Sequence, residues 1–382
     1  MGEYGAASRG QGGMLDTTGA FHWCPGQALH VCTLTAEGAA RKNFHNHIIV
    51  GVIADKDSST LGLKNLIMPL RASNIRYNDL MEVVILGDPE YIAKEWKLLR
   101  NFCKLYFFSG SVLTSLADLR ILNINRCRRC ILLSSKAGSR EEPVLADKEI
   151  IMAALNIRSM KFEAAHGITD GRQIPLLLDL AFASNVHYID AEKHEGDRDF
   201  RDTLPFASGM ATCRGILDSL VSAAYFNASA LLLTRQWVTG GATLALEESL
   251  AEGEGLQGGP ASPQLLEVRN RFRMEEIRLY DSPFKELADS GASFAELFSV
   301  ACRRYGIICI AIYRKIPDEE SGIRHGNVRV VMSCPDAGTE LLYHDHVIGM
   351  VQVLPQETLS LWLTDLCLQA FWQNNRSMER LH

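Results

Sequence analysis

Long hydrophobic runs are missing from this sequence of 382 residues. Its best apolar stretches, residues 306–313, 347–354 and 176–183 (the last interrupted by Asp179), fall far short of the roughly 20 residues that a membrane-spanning helix needs. Runs of that length read as buried strands. An apolar signal-peptide core is missing from residues 1–20, which are rich in Gly, Ala and Thr, so a soluble, cytosolic chain is expected. There is no surplus of positive charge: 39 Lys and Arg face 45 Asp and Glu, for a net charge of −6 and a pI near 6.0. That balance gives no general attraction to phosphate backbones, so no nucleic-acid partner is expected. A disulfide framework is also absent, because ten cysteines lie scattered without a secretory signal. The one CxxC, Cys127 and Cys130, has no second ligand pair at zinc-finger spacing. Cys130 leads into Ile131-Leu132-Leu133, so the pair reads as structural.

Alternating apolar runs and helical patterns fill residues 47–226. Residues 47–54 (HIIVGVIA) read as a buried first strand. Asp57, Ser58 and Ser59 offer N-cap oxygens to a helix ending near Arg71, with Leu61, Leu63, Leu66, Ile67 and Leu70 on its apolar face. Further strands are expected at 82–86, 105–108, 129–134, 174–178 and 186–189, with helices at 89–99, 116–124 and 147–160. Strands alternating with helices imply a doubly wound, Rossmann-like parallel α/β sheet. The turn that would carry G-x-G-x-x-G in a dinucleotide fold instead reads Asp55-Lys56-Asp57-Ser58-Ser59-Thr60. Two carboxylates would face the pyrophosphate there, and no glycine admits a close backbone approach.

Enzyme constellations are equally scarce. No HExxH, GxSxG or P-loop occurs. His45-Asn46-His47 and His344-Asp345-His346 have the spacing of paired ligands on one strand face, but the first pair begins its strand and the second precedes its own, whereas barrel metallohydrolases place ligands at a strand's carboxyl end, and solvated strand-end histidines are expected. A small-molecule-binding α/β enzyme with an unrecognised site remains the alternative.

The second half is built differently. Residues 238–263 carry six glycines and two prolines, with turns at Gly240-Gly241 and Gly258-Gly259. A strand at 274–280, a helix at 294–305 and strands at 307–313, 328–332 and 347–354 predict a smaller α+β lobe. Residues 215–226 and 228–238 read as two successive helices, a helix-turn-helix crossover of the kind that docks subunits. The tail after residue 354 is amphipathic at first and reads as a packing helix.

Several long strings carry a resemblance: FHWC (21–24), NLIMPLRASN (65–74), ADLRILNIN (117–125), DKEIIMAALNIRSM (147–160), PFASG (205–209), LDSLVSAAYFN (217–227) and VTGGAT (238–243). In this order they resemble the second RCK (regulator of conductance of potassium) domain of the Slo high-conductance, voltage- and ligand-gated potassium channels. The resemblance implies five segments. Residues 1–20 are unassigned, 21–216 form a Rossmann-like lobe, 217–238 the crossover helices, 239–354 the C-terminal lobe, and 355–382 a tail. It implies a tetrameric gating ring at the cytoplasmic face of the plasma membrane, with the other subunits and the first RCK domain as partners. No cofactor is implied. Potassium would be met only through a pore that this chain, read as a truncated or alternative-start product, does not carry; alone it would not conduct.

Calcium-activated members carry a nearly unbroken aspartate run where this sequence has residues 190–202. Its acids, Asp190, Glu192, Glu195, Asp197, Asp199 and Asp202, are offset by Lys193, Arg198 and Arg201, leaving three net negative charges. Calcium takes six to eight oxygens, and those cations compete for them, so a degenerate, calcium-insensitive bowl is expected. Among Slo relatives this departure points to the pH-gated, sperm-type channel, with His187 and His194 as candidate pH sensors.

Overall fold

The first long strand serves two cores at once. Ile48, Val50 and Val52 pack with Leu63, Ile67, Tyr91, Trp96 and Phe107 on one face. Ile49 and Ile53 pack with Leu119, Leu132, Ile150 and Leu178 on the other. A strand covered on both faces has no polar alternation, which is why the sequence here is an unbroken apolar run. The computed structural model describes residues 14–135, 146–163, 168–189, 199–240, 272–316 and 328–352. Seven strands form the first sheet: β1 (Thr33–Leu34), β2 (Ile48–Ile53), β3 (Val83–Gly87), β4 (Leu105–Ser109), β5 (Arg129–Ser134), β6 (Leu176–Leu180) and β7 (Ala211–Cys213). All their pairings are parallel, in the order β1-β4-β3-β2-β5-β6-β7. The order reverses between β2 and β5, the switch point of a doubly wound fold.

Two sequence expectations are corrected. The helix expected from Asp57 to Arg71 is only Leu63–Ile67, followed by a 3-10 turn at Pro69–Arg71. Ser58 and Asp55 close a turn on each other instead of capping a helix. Gly62, left-handed at φ 73°, then starts the shortened helix, and Pro69 cannot continue it. Residues 186–189 are no strand: Ala183–Tyr188 is a 3-10 helix that buries Val186. Residues 14–24 fold against this lobe, with Leu15, Asp16, Thr18, Ala20, Phe21 and His22 all buried.

Beyond the helices Gly215–Phe226 and Ser229–Thr239, a second sheet forms. It comprises β8 (Phe272–Arg278), β9 (Ile308–Lys315), β10 (Arg329–Ser333) and β11 (His346–Gln352), antiparallel in the order β10-β9-β11-β8. The helices Lys285–Asp289 and Phe294–Tyr305 enclose its core of Leu279, Phe284, Leu297, Ala301, Ile312 and Val347. Ser293 and Glu296 form a reciprocal capping box at the start of the longer helix. The second crossover helix packs against β8. The Gly-rich stretch after Gly240, most of the acidic loop and the tail lie outside the described residues. No described helix is long and apolar enough to cross a membrane.

Candidate functional site: the crossover helices and the edge of the acidic loop

The acidic loop leaves the carboxyl side of β6, the edge where ligands bind in open α/β sheets. Its approach is organised by one buried carboxylate. Asp147 accepts from the main-chain N–H of Ala181 (2.8 Å) and Phe182 (3.1 Å) and from Asn185 Nδ2 (2.7 Å). Ile189 is buried, and its carbonyl accepts from Arg158 Nη1 at 2.8 Å. On the far side Phe200 enters the sheet core, while Asp199 accepts from Arg201 N–H at 3.2 Å. Both ends of the loop are therefore anchored. Of the residues singled out there, His187, Asp199 and Asp202 are described and solvent-exposed; Asp190, Glu192, His194, Glu195 and Asp197 lie outside the described residues. Arg201 reaches Ser219 Oγ at 2.8 Å, tying the loop's end to the first crossover helix. Among the described residues no cluster of three or more His, Cys, Asp or Glu could hold a metal ion.

The crossover helices expose apolar side chains that a lone helix pair would bury. Leu217, Val221 and Tyr225, at four-residue spacing, share one face of Gly215–Phe226. Tyr225 and Phe226 are each 84% exposed, and neither helix buries a single residue. Leu231, Leu232, Leu233, Trp237 and Val238 continue the exposed apolar surface on the second helix. Such a surface is the mark of an interaction face.

The helix N-terminus after β2, where a dinucleotide fold receives phosphate, is filled by the protein itself. Glu95, 2% exposed, accepts from Gly62 N–H (3.0 Å) and Leu63 N–H (3.1 Å), and Tyr91 Oη lies 3.3 Å from it. Glu95 was missed in the sequence, although a carboxylate inside the apolar stripe Tyr91, Ile92, Trp96, Leu99 is a legible signal.

Of the paired histidines, His45 and His344 are solvent-exposed as expected, while His47 and His346 are not solvated strand ends. His47 is fully buried beside Phe44, and burial lowers its pKa to about 4. The Leu122 carbonyl favours its proton but forms no regular hydrogen bond with it. His346 is 7% exposed, with Nδ1 2.6 Å from Glu276 Oε1; burial pulls its pKa down while Glu276 pulls it up, and the net direction is down. Asp345, 1% exposed, holds Arg314, whose Nη2 lies 2.7 Å from its Oδ2. Cys127 and Cys130 are free and buried; burial lifts the Cys127 thiol to about 12 and Cys130 well above its ordinary range.

Comparison with known proteins supplies the family. Residues 43–189 match the model of the calcium-activated potassium channel slowpoke-like RCK domain, and residues 230–351 match that of the Ca2+-activated K+ channel Slowpoke, TrkA_C like domain. The chain is 39% identical over 367 residues to the calcium-activated potassium channel slowpoke of Drosophila melanogaster, covering 89% of this chain and 30% of the channel. It is 40% identical over 365 residues to the calcium-activated potassium channel slo-1 of Caenorhabditis elegans, covering 89% of this chain and 32% of that one. Among solved structures, the human SLO3 gating ring superposes with a TM-score of 0.69 at 29% identity, over 90% of this chain and 54% of that one. The chain thus spans about a third of each channel's length. These relatives are channels and a channel domain, not enzymes. With an α/β lobe, a helix crossover and an antiparallel lobe in that order, the chain belongs to the Slo-type RCK family.

Proposed function

We propose that this chain is the second RCK segment of a large-conductance potassium channel, working as part of an intracellular gating ring. The observation that carries the reading is the exposed apolar crossover. In a ring its natural cover is another RCK domain, of the same or a neighbouring subunit. Apolar area withdrawn from water contributes about 25 cal/mol per Å², enough to drive association of a face of this kind. Light scattering from low to high micromolar concentration tests it. The mass should rise above that of a monomer, and the double change Leu217→Asp with Val221→Asp should hold it at monomer. A wild-type chain that stays monomeric throughout overturns the reading.

We further infer that the ring responds to pH rather than calcium. Support comes from the composition of residues 190–202, where three cations compete with the carboxylates that calcium would need. A histidine titrates near pH 6.5, and His194 has Glu192, Glu195 and Asp197 as sequence neighbours. Its protonated form would pair with them at low pH and lose that pairing as pH rises. If the paired form belongs to the closed ring, alkaline pH opens the channel. One exposed pair contributes only about 0.2–1 kcal/mol, but four subunits act together. In excised patches of the whole channel, open probability should rise with cytosolic pH and ignore calcium, and His194→Gln should shift the pH midpoint. An unchanged midpoint removes His194 as the sensor, and a calcium-driven shift overturns the reading of the loop.

A further inference from the structure

The seam between the two lobes is closed by a carboxylate with two partners on different lobes. Glu276 lies on β8 of the antiparallel lobe. Its Oε2 accepts from Arg128 Nη2 at 3.0 Å, and Arg128 immediately precedes β5 of the parallel sheet. Its Oε1 meets His346 Nδ1 at 2.6 Å, at the start of β11 and directly beside β8. The register pairs His346 with Arg278 on β8 and with Tyr313 on β9. Two other contacts cross the same seam: Asn74 Nδ2 donates to the Phe272 carbonyl at 3.3 Å, and Arg273 lies 4.0 Å from Asp79.

His346 is poorly placed to carry a proton. It is nearly buried among Tyr280 and Tyr313, with ring centroids 6.1 and 6.3 Å away, and its Nε2 has no hydrogen-bond partner. The charged groups around it are Glu276 and Arg278 on β8 and Arg329 on β10, with Arg128 beyond Glu276. Arg329 is held by the Tyr313 carbonyl (3.2 Å) and the His344 carbonyl (2.8 Å), so its charge is fixed nearby. A second proton on the imidazole would therefore be an N–H without an acceptor, beside two guanidinium groups and one carboxylate. A buried donor of this kind is costly.

We propose that Glu276 is a two-sided latch whose grip on the parallel-sheet lobe, through Arg128, is released when His346 takes up a proton. The sign follows from the surroundings. The pKa of seated His346 is below the 6.5 of a solvated histidine. Its unseated form therefore binds protons more readily, and seating weakens as pH falls through about 6.5. The pKa of Glu276 is itself held down by His346 and Arg128 against burial, so Glu276 stays ionised across that window and His346 is the group that titrates. Protonated His346 leaves its pocket, the start of β11 frays, and Glu276 loses the neighbour that aims it at Arg128. The latch uses contacts within one chain and stands whether or not that chain assembles.

Hydrogen exchange followed by mass spectrometry on the full chain tests this, at pH 7.5 and 5.5 and corrected for intrinsic exchange rates. Acid should lower protection of β8 and the first residues of β11 by about threefold to tenfold, the upper figure being the limit that one histidine of unseated pKa near 6.5 can contribute between these two pH values. His346→Gln should abolish that pH dependence. Arg128→Gln, a change at a half-exposed side chain outside both cores, should lower protection of β8 at pH 7.5 and shrink the acid response. Buried His47 would register on β2, so acid loss confined to β2 overturns the proposal. So does a full acid response in His346→Gln, or β8 protection untouched by Arg128→Gln should the histidine variant fail to fold.

Discussion

Arg71 is fully buried, and its guanidinium binds main chain rather than a carboxylate. Nε donates to the Cys103 carbonyl at 2.7 Å, Nη1 to Leu70 at 3.0 Å and Nη2 to Lys104 at 3.1 Å. One side chain thereby fastens the turn after the Leu63–Ile67 helix to the loop before β4. Burial lowers its pKa, but an arginine keeps its charge. Replacing a buried ion by an apolar side chain is often harmless when its partners leave with it. Here the carbonyls stay behind without donors, so Arg71→Met should destabilise the sheet lobe by about 3 kcal/mol. Urea unfolding checks this: the midpoint should fall with the slope unchanged. Arg71 stood in the string NLIMPLRASN that carried the family resemblance, and Asn74 in that string reaches across to β8. These two residues of the string thus serve packing and lobe contact, roles that no local pattern of polarity reveals. Glu95 is the contrary case: a carboxylate within an apolar helical stripe was legible and went unread.

At the scale of elements, agreement followed pattern strength. The expected spans 129–134 and 294–305 coincide with β5 and the capped Phe294–Tyr305 helix, because each has an unbroken period and a clear stop signal. β1 and β7, two and three residues long, are too short to show any period and went unpredicted. Of residues 186–189 only Val186 and Ile189 enter the core while His187 and Tyr188 face solvent, and two buried apolar side chains alone cannot separate a 3-10 turn from a strand. Joins between elements set tight limits of their own. Gly171 N–H donates to the Met160 carbonyl at 2.8 Å, where a 3-10 turn abuts the end of the Lys148–Ser159 helix. A Cβ at Gly171 would lie 2.9 Å from the Met160 oxygen and closer still to that of Ile157. Gly209, by contrast, has φ of +70° and open space around it. Gly171→Ala should therefore cost about 3 kcal/mol by steric overlap, and Gly209→Ala only about 1 kcal/mol by backbone strain. Equal losses in parallel denaturation curves would contradict the ranking.

Across the whole molecule, both lobes and the crossover were legible because each is built from local periodicities. The seam between them was not. Arg128 and Glu276 are 148 residues apart, and a pairing at that distance leaves no trace in either segment. His47 and His346 depart from the expected exposure for a related reason: a polar residue at a strand end is solvated only if nothing folds over it, and for His346 the covering strands come from elsewhere in the chain. The uncovered crossover helices have a thermodynamic corollary. A surface that a partner covers in the native assembly, and that no partner covers in the unfolded state, makes folding and association one equilibrium. Under the proposed assembly, the melting temperature of this chain is a function of dilution rather than a constant. A subunit made in excess of its partners is then the least stable copy in the population, so the helix pair links how long a copy survives to whether it has found its place.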